Sequence, residues 1–256
     1  MKVMALQRPL EWTDTAANLS MFTEAISRHI GEDIDVIVLP EMFNTGLIMQ
    51  PQGIVDDGTE VLTWMRQMAQ RMNAAITGST AVQTEDTTFR NRLYFVQPDG
   101  SYTTYDKRHL FYYGGEGEAF RRGQERVIVK FRGWRFLLQV CYDLRYPCWA
   151  RCHDDYDAII YSANWPINRQ LAWDTLIRAR AIENQCYLIG ANRCGDDPRC
   201  TYKGMSAVID FFGETVCQAE PYREADLVVE LDMSRLQRYR EKFPLMEDQD
   251  RYELIV

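Results

Sequence analysis

Apolar positions along this chain switch repeatedly between short strand-like runs and helical spacing. Residues 3–7 read as a strand. Residues 15–30 follow with Leu19, Phe22, Ile26 and Ile30 at helical intervals, and Asp14 stands where an N-cap belongs. Residues 34–39 return to a strand, 59–73 to a helix and 74–79 to a strand. The middle is β-rich. Residues 92–96 and 102–105 flank Pro98-Asp99-Gly100, a strong turn signal, and 127–131 and 135–140 form a second pair around Gly133. Alternation then resumes with a strand at 158–162, a helix at 169–184 and a strand at 187–191. Residues 206–211 and 216–219 flank Phe212-Gly213-Glu214 as a hairpin, 227–231 close the sheet, and Asp232 caps a last helix containing Leu236. Mixed βα units and hairpins predict a layered α/β protein, with helices outside and sheet inside. No internal repeat, low-complexity segment or linker interrupts residues 1–256, so one domain is expected.

Composition narrows the partners. Hydrophobic residues make up 46% and charged residues 26% of the 256, enough apolar material for a sizeable core. With 29 basic and 37 acidic side chains, the net charge of −8 argues against nucleic acid or an anionic membrane as a bulk electrostatic partner. A small anionic substrate responds to local charge only and stays open. No run approaches the roughly 20 apolar residues that cross a bilayer, and the opening residues lack a secretory pattern. The 7 cysteines are odd in number and scattered, which suits free thiols in a reducing cytoplasm.

The candidate chemistry sits where strands end. Glu41 follows the apolar Val36-Ile37-Val38-Leu39-Pro40, Lys107 follows a strand and Asp106, and Cys141 closes the run from Trp134 to Val140. Amide hydrolysis needs a nucleophile, a proton shuttle and stabilisation of an oxyanion. Cys141 supplies the first as a thiolate favoured by a nearby cation, for which Lys107 is the candidate. Glu41 supplies the shuttle, and Lys107 with the backbone N–H of Tyr142 supplies the third. Singly, each residue is as well explained by burial or solvation. Spacing alone does not bring them together.

Three segments carry a resemblance. Leu39-Pro40-Glu41-Met42-Phe43, Tyr105-Asp106-Lys107-Arg108-His109-Leu110-Phe111 and Val140-Cys141-Tyr142-Asp143-Leu144-Arg145-Tyr146-Pro147 resemble the signature segments of the nitrilase (carbon–nitrogen hydrolase) superfamily, in the same order. Ala163-Asn164-Trp165-Pro166, the run from Arg178 to Gln185 and the run from Tyr239 to Pro244 are similar to the bacterial omega-amidase branch. The resemblance implies a four-layer α-β-β-α sandwich that dimerises through a helical face, and a triad of Glu41, Lys107 and Cys141. It implies a second glutamate seven positions before a glycine. Gly123 then points to Glu116, with Glu118 as a rival.

It further implies a 2-oxo acid amide, 2-oxoglutaramate or 2-oxosuccinamate, hydrolysed through a thioester. A glutamine or asparagine transaminase would be the functional companion. A substrate with a remote carboxylate calls for a cation, and Arg145 is the candidate, unless Asp143 or another acid pairs with it. Phe43, Tyr142 and Trp165 are candidate pocket walls, packing being the rival role for Trp165. Another linear amide, a carbamoyl compound or a nitrile is the alternative substrate, and a non-catalytic binding module the alternative class. No cofactor is expected. Cys148, Cys152 and His153 lack a second ligand pair with zinc-like spacing, so no metal site is expected either.

Overall fold

In the computed structural model, which describes residues 1–250 and 252–254, strand β1 (Lys2–Gln7) faces two ways. Val3 and Ala5 enter one apolar cluster, and Met4 and Leu6 another. Successive side chains of a strand point to opposite faces, so a strand apolar throughout is buried on both. β2 (Val36–Val38) repeats this, with Val36 and Val38 in the first cluster and Ile37 in the second. β3 (Ala75–Gln83) pairs with it in parallel, and β4 (Phe89–Val96) and β5 (Tyr102–Asp106) continue antiparallel. Helices α1 (Thr15–Ser27) and α2 (Thr59–Met72) cover the outer face through Leu19, Phe22, Ile26, Val61, Met65 and Met68. A single turn, α3 (Glu116–Ala119), follows.

The second sheet is built from β6 (Ile128–Phe131), β7 (Trp134–Val140), β8 (Ala158–Ala163) and β9 (Tyr187–Asn192), with the turn α4 (Pro147–Ala150) and helix α5 (Gln170–Glu183) between them. A separate hairpin, β10 (Cys194–Asp196) and β11 (Thr201–Lys203), precedes β12 (Ala207–Ile209) and β13 (Thr215–Gln218). β14 (Ala225–Glu230) then returns to pair antiparallel with β1. The two six-stranded sheets run β14-β1-β2-β3-β4-β5 and β13-β12-β9-β8-β7-β6. They share one core, in which Phe95 of β4 meets Phe131 and Phe136 of the second sheet at centroid distances of 5.9 and 6.0 Å. Trp173, Ile177 and Ala181 seat α5 on the second sheet, and α6 (Met233–Lys242) follows β14. The order of layers is the expected α-β-β-α.

Local signals read from the sequence hold where a side chain bonds to its own backbone neighbourhood. Asp14 accepts from Ala17 N–H and Asp232 from Arg235 N–H, both at 2.9 Å, as N-caps do. Arg132 and Gly133 both have positive φ (46° and 80°), the conformation of a two-residue hairpin turn. Boundaries differ. The first helix ends at Ser27 rather than residue 30, because Gly31 (φ 91°) follows a frayed turn. β3 and β4 are longer than expected, and β2 is shorter. The β10–β11 hairpin was not expected from the sequence at all, since three-residue strands carry almost no periodicity.

Candidate active site

Each candidate side chain stands just beyond a strand. Lys107 is the first residue after β5, and its backbone N–H donates to Asn91 O at 2.9 Å while its carbonyl accepts from Gly123 N–H at 2.9 Å. The approach at Gly123 is so close that an added Cβ would lie 2.0 Å from the Asp106 carbonyl oxygen, so only glycine allows the segment after α3 to lie against the lysine. Glu41 follows β2, where Asn164 clasps it twice. The Asn164 N–H donates to Glu41 Oε2 at 3.0 Å, and its Nδ2 donates to the Glu41 carbonyl at 2.7 Å.

Cys141 opens a short 3-10 segment, Cys141–Arg145, directly after β7. Its φ of 43° is left-handed, a strained conformation for a residue with a Cβ. The Asp143 carboxylate holds this turn. It accepts from Val140 N–H (3.0 Å) inside the turn and from Tyr105 OH (2.8 Å) and His109 N–H (2.9 Å) in the lysine segment. His109 stacks on Tyr146 at 3.8 Å and its Nδ1 lies 2.8 Å from Asp143. One buried carboxylate thereby ties the cysteine turn to the lysine strand.

The charged groups converge. Lys107 Nζ donates to Glu41 Oε1 at 2.7 Å and to Glu116 Oε1 and Oε2 at 3.1 and 2.9 Å. All three side chains are buried. Burial favours the neutral amine, but Glu116 and Glu41 outweigh it and hold the Lys107 pKa above its ordinary value. Burial raises the Glu41 carboxyl, against Lys107, which lowers it, and with Glu116, which raises it further. Cys141 faces Glu41. Burial and that carboxylate push its thiol well above the ordinary range, and Lys107 only partly opposes them. The sequence had pointed to a thiolate favoured by Lys107. In the structure the lysine charge is shared by two carboxylates, so its pull toward the thiolate is only partial and Glu41 is the group placed to take the thiol proton.

A cavity of about 260 Å³ opens over these residues. Glu41, Lys107, Cys141, Tyr142, Arg145 and Trp165 all line it. Arg145 forms no ion pair with Asp143 or another acid among the described residues. Its guanidinium lies 4.9 Å from the Trp165 ring centroid and 5.9 Å from that of Tyr142. Trp165 is both wall and packing, meeting Trp173 at 5.7 Å. Phe43 requires a correction. It is fully buried between α1 and α2, against Phe22 at 5.7 Å and Trp64 at 5.6 Å, and does not reach the cavity. Two positions past Glu41, its side chain turns back into the core. Glu116 is buried on Lys107 and also accepts from Phe111 N–H at 2.6 Å, whereas Glu118 is exposed.

Several site residues escaped the sequence reading. Asn91 donates through Nδ2 to Glu41 Oε1 (2.8 Å) and Glu116 Oε1 (3.0 Å). Its signal was a polar residue at an inward position of an alternating strand, between Phe89 and Leu93. Arg169 and Arg199 reach the cavity from the start of α5 and from the unexpected hairpin, and nothing in the sequence set them apart from surface charge. No group of three or more His, Cys, Asp or Glu that could hold a metal ion occurs among the described residues.

The fold and this arrangement define a hydrolase class, and residues 2–241 match the carbon-nitrogen hydrolase family model, so the chain belongs to that family. An omega-amidase YafV of Yersinia enterocolitica is 48% identical, over 100% of this chain and 99% of that protein. A 2-oxoglutaramate amidase of Bacillus subtilis is 30% identical over 96% of each. A CN-hydrolase superfamily protein from Xanthomonas campestris, whose crystal structure carries an arsenic adduct in the active site, superposes with a TM-score of 0.96 at 37% identity. That match covers 99% of this chain and 98% of the other.

Proposed function

We propose that this chain is an omega-amidase, hydrolysing the terminal amide of 2-oxoglutaramate or 2-oxosuccinamate to the 2-oxo dicarboxylic acid and ammonia. The observation that carries this is Arg145, a cation on the cavity wall without an acidic partner among the described residues, beside Glu41, Lys107 and Cys141. Likeness along nearly the whole chain to proteins named omega-amidase and 2-oxoglutaramate amidase, at 48% and 30% identity, supports it. In this reading Glu41 takes the Cys141 proton as the sulfur attacks the amide carbon. The Lys107 ammonium and the Tyr142 N–H hold the oxyanion, the latter because early N–H groups of a helical turn lack internal partners. Glu41 passes its proton to the nitrogen, ammonia leaves, and a thioester remains. Water, deprotonated by Glu41, attacks that thioester, frees the acid and returns the proton to sulfur. Glu116 keeps Lys107 charged and aimed.

Arg145 takes the remote carboxylate, with Arg169 and Arg199 making the mouth positive in a chain of net charge −8. The test is ammonia release from 2-oxoglutaramate by wild type and Arg145→Gln. A hydrogen bond to a charged group is worth about 1.5–3 kcal/mol, so KM is expected to rise roughly 10- to 100-fold with a smaller change in kcat. A neutral amide of the same length should not feel the substitution. If 2-oxoglutaramate is left intact while other linear amides or nitriles are cleaved, the substrate assignment falls.

The substrate's chemistry makes the enzyme a consumer of amides left by transaminases that use glutamine or asparagine. No helix among the described residues is long and apolar enough to cross a membrane. All 7 cysteines are free, which fits a reducing cytoplasm. A homodimer is expected through the outer helical face, where Leu171 and Ile182 of α5 are 80% and 47% exposed, and where Phe212 in the β12–β13 turn and Phe243 at the end of α6, both packed on Tyr239, are also open to solvent. A monomer in sedimentation equilibrium at micromolar concentration would remove that part of the reading.

A further inference from the structure

Asn91 occupies a position that its residue type alone explains. Its single Nδ2 donates one proton to Glu41 Oε1 and the other to Glu116 Oε1. Lys107 Nζ spans the same two oxygens, at 2.7 and 3.1 Å. The four atoms close a ring in which two carboxylates are joined by one charged and one neutral donor. Asn91 Oδ1 finds no partner among the described residues. Turning the amide over would aim that oxygen at two carboxylate oxygens, so the hydrogen-bond chemistry fixes which end is nitrogen. The backbone takes part too, since Asn91 O accepts from Lys107 N–H at 2.9 Å. One residue therefore touches all three charged members of the site, from a strand position that is 0% exposed and outside the cavity lining.

We propose that Asn91 is the positioning residue of this active site, the neutral crosspiece that keeps Glu41 and Glu116 apart and aimed while protons pass through Glu41. The inference rests on the proposed role of Glu41 as proton shuttle. Two carboxylates against one ammonium leave a net negative charge in a buried space, and the carboxylates repel. Lys107 answers this with charge, so its hold weakens whenever Glu41 is protonated. An amide donor does not depend on that charge to the same extent, and it fixes the Glu41 side chain through the cycle. The titratable groups facing Glu41 are Lys107 beyond β5, Glu116 on α3 and Cys141 beyond β7. Asn91 and the Asn164 backbone N–H are its neutral donors. Loss of one donor to the ionised form makes the carboxyl harder to ionise.

The test is Asn91→Ala, with Asn91→Ser alongside in case alanine does not fold, since serine retains a polar group in this polar site. The expected result is a kcat reduced about 10- to 100-fold with KM nearly unchanged, because Asn91 does not line the cavity. The acid limb of the kcat–pH profile should move upward by about one pH unit. Asn91→Asp, which sets a third carboxyl in the ring, should move it further. The same displacement should appear in the pH dependence of iodoacetamide alkylation of Cys141, a reading that needs no substrate and survives an error in the substrate assignment. A folded Asn91→Ala or Asn91→Ser with wild-type kcat and an unmoved acid limb in both assays overturns the proposal. So does a variant that loses thermal stability alone.

Discussion

Cys141→Ala is expected to abolish amide turnover, by roughly 10⁴-fold or more, while leaving the chain folded. The side chain is small and the alanine keeps the Cβ, so the strained turn and its Asp143 bonds stay as they are. Near-ultraviolet circular dichroism and a melting curve close to wild type would establish the fold, and ammonia release would measure the loss. Cys141→Ser should be almost as inactive, because an alcohol in a site that already raises the thiol pKa is harder still to deprotonate. Turnover at the wild-type rate in either variant would end the thioester mechanism.

Glu41→Gln carries the next largest effect, a fall in kcat of about 10²- to 10⁴-fold, the range of general acid–base catalysis. Glutamine keeps one oxygen to accept from Lys107 and gives up acceptance from the Asn164 N–H. Arg145 rather than Glu41 takes the remote carboxylate in the proposed reading, so substrate affinity should change less than kcat. The sign of the pH dependence follows from the direction of the Glu41 shift. Burial raises its pKa, and the base works as carboxylate. Activity should therefore fall as pH drops through a value above that of an ordinary glutamate, and the variant should lose this limb along with the rate. A wild-type profile that stays flat into the ordinary carboxylate range would show that Glu41 does not limit proton transfer.

The layered fold was legible because both sheets are written in period-two or continuous apolar runs, as in Val36-Ile37-Val38, and because Asp14 and Asp232 cap their helices with local bonds. Glu41, Lys107 and Cys141 were legible as strand-end residues, and the segment likeness supplied their grouping. What stayed hidden depends on distance in the chain. Asn91 lies 50 residues from Glu41 and Asp143 lies 38 from Tyr105, and no local pattern announces such partners. Phe43 misled because apolar residues beside a functional one are equally suited to core and cavity. The thiol's upward shift was hidden for a related reason: a cation's effect depends on how many carboxylates already share it.

β14, the last strand among the described residues, lies beside the first, β1, in the sheet that holds Asn91 within β4 and carries Glu41 and Lys107 just beyond β2 and β5. Cys141 and Asn164 belong to the other sheet, which is complete in sequence before β14 begins. On the ribosome, therefore, carboxylate, ammonium and thiol all emerge before the strand that finishes the first sheet. A chain arrested short of β14 leaves one edge of β1 unpaired. The sheet that holds the carboxylate and the ammonium is thus completed by a strand made after every reacting group.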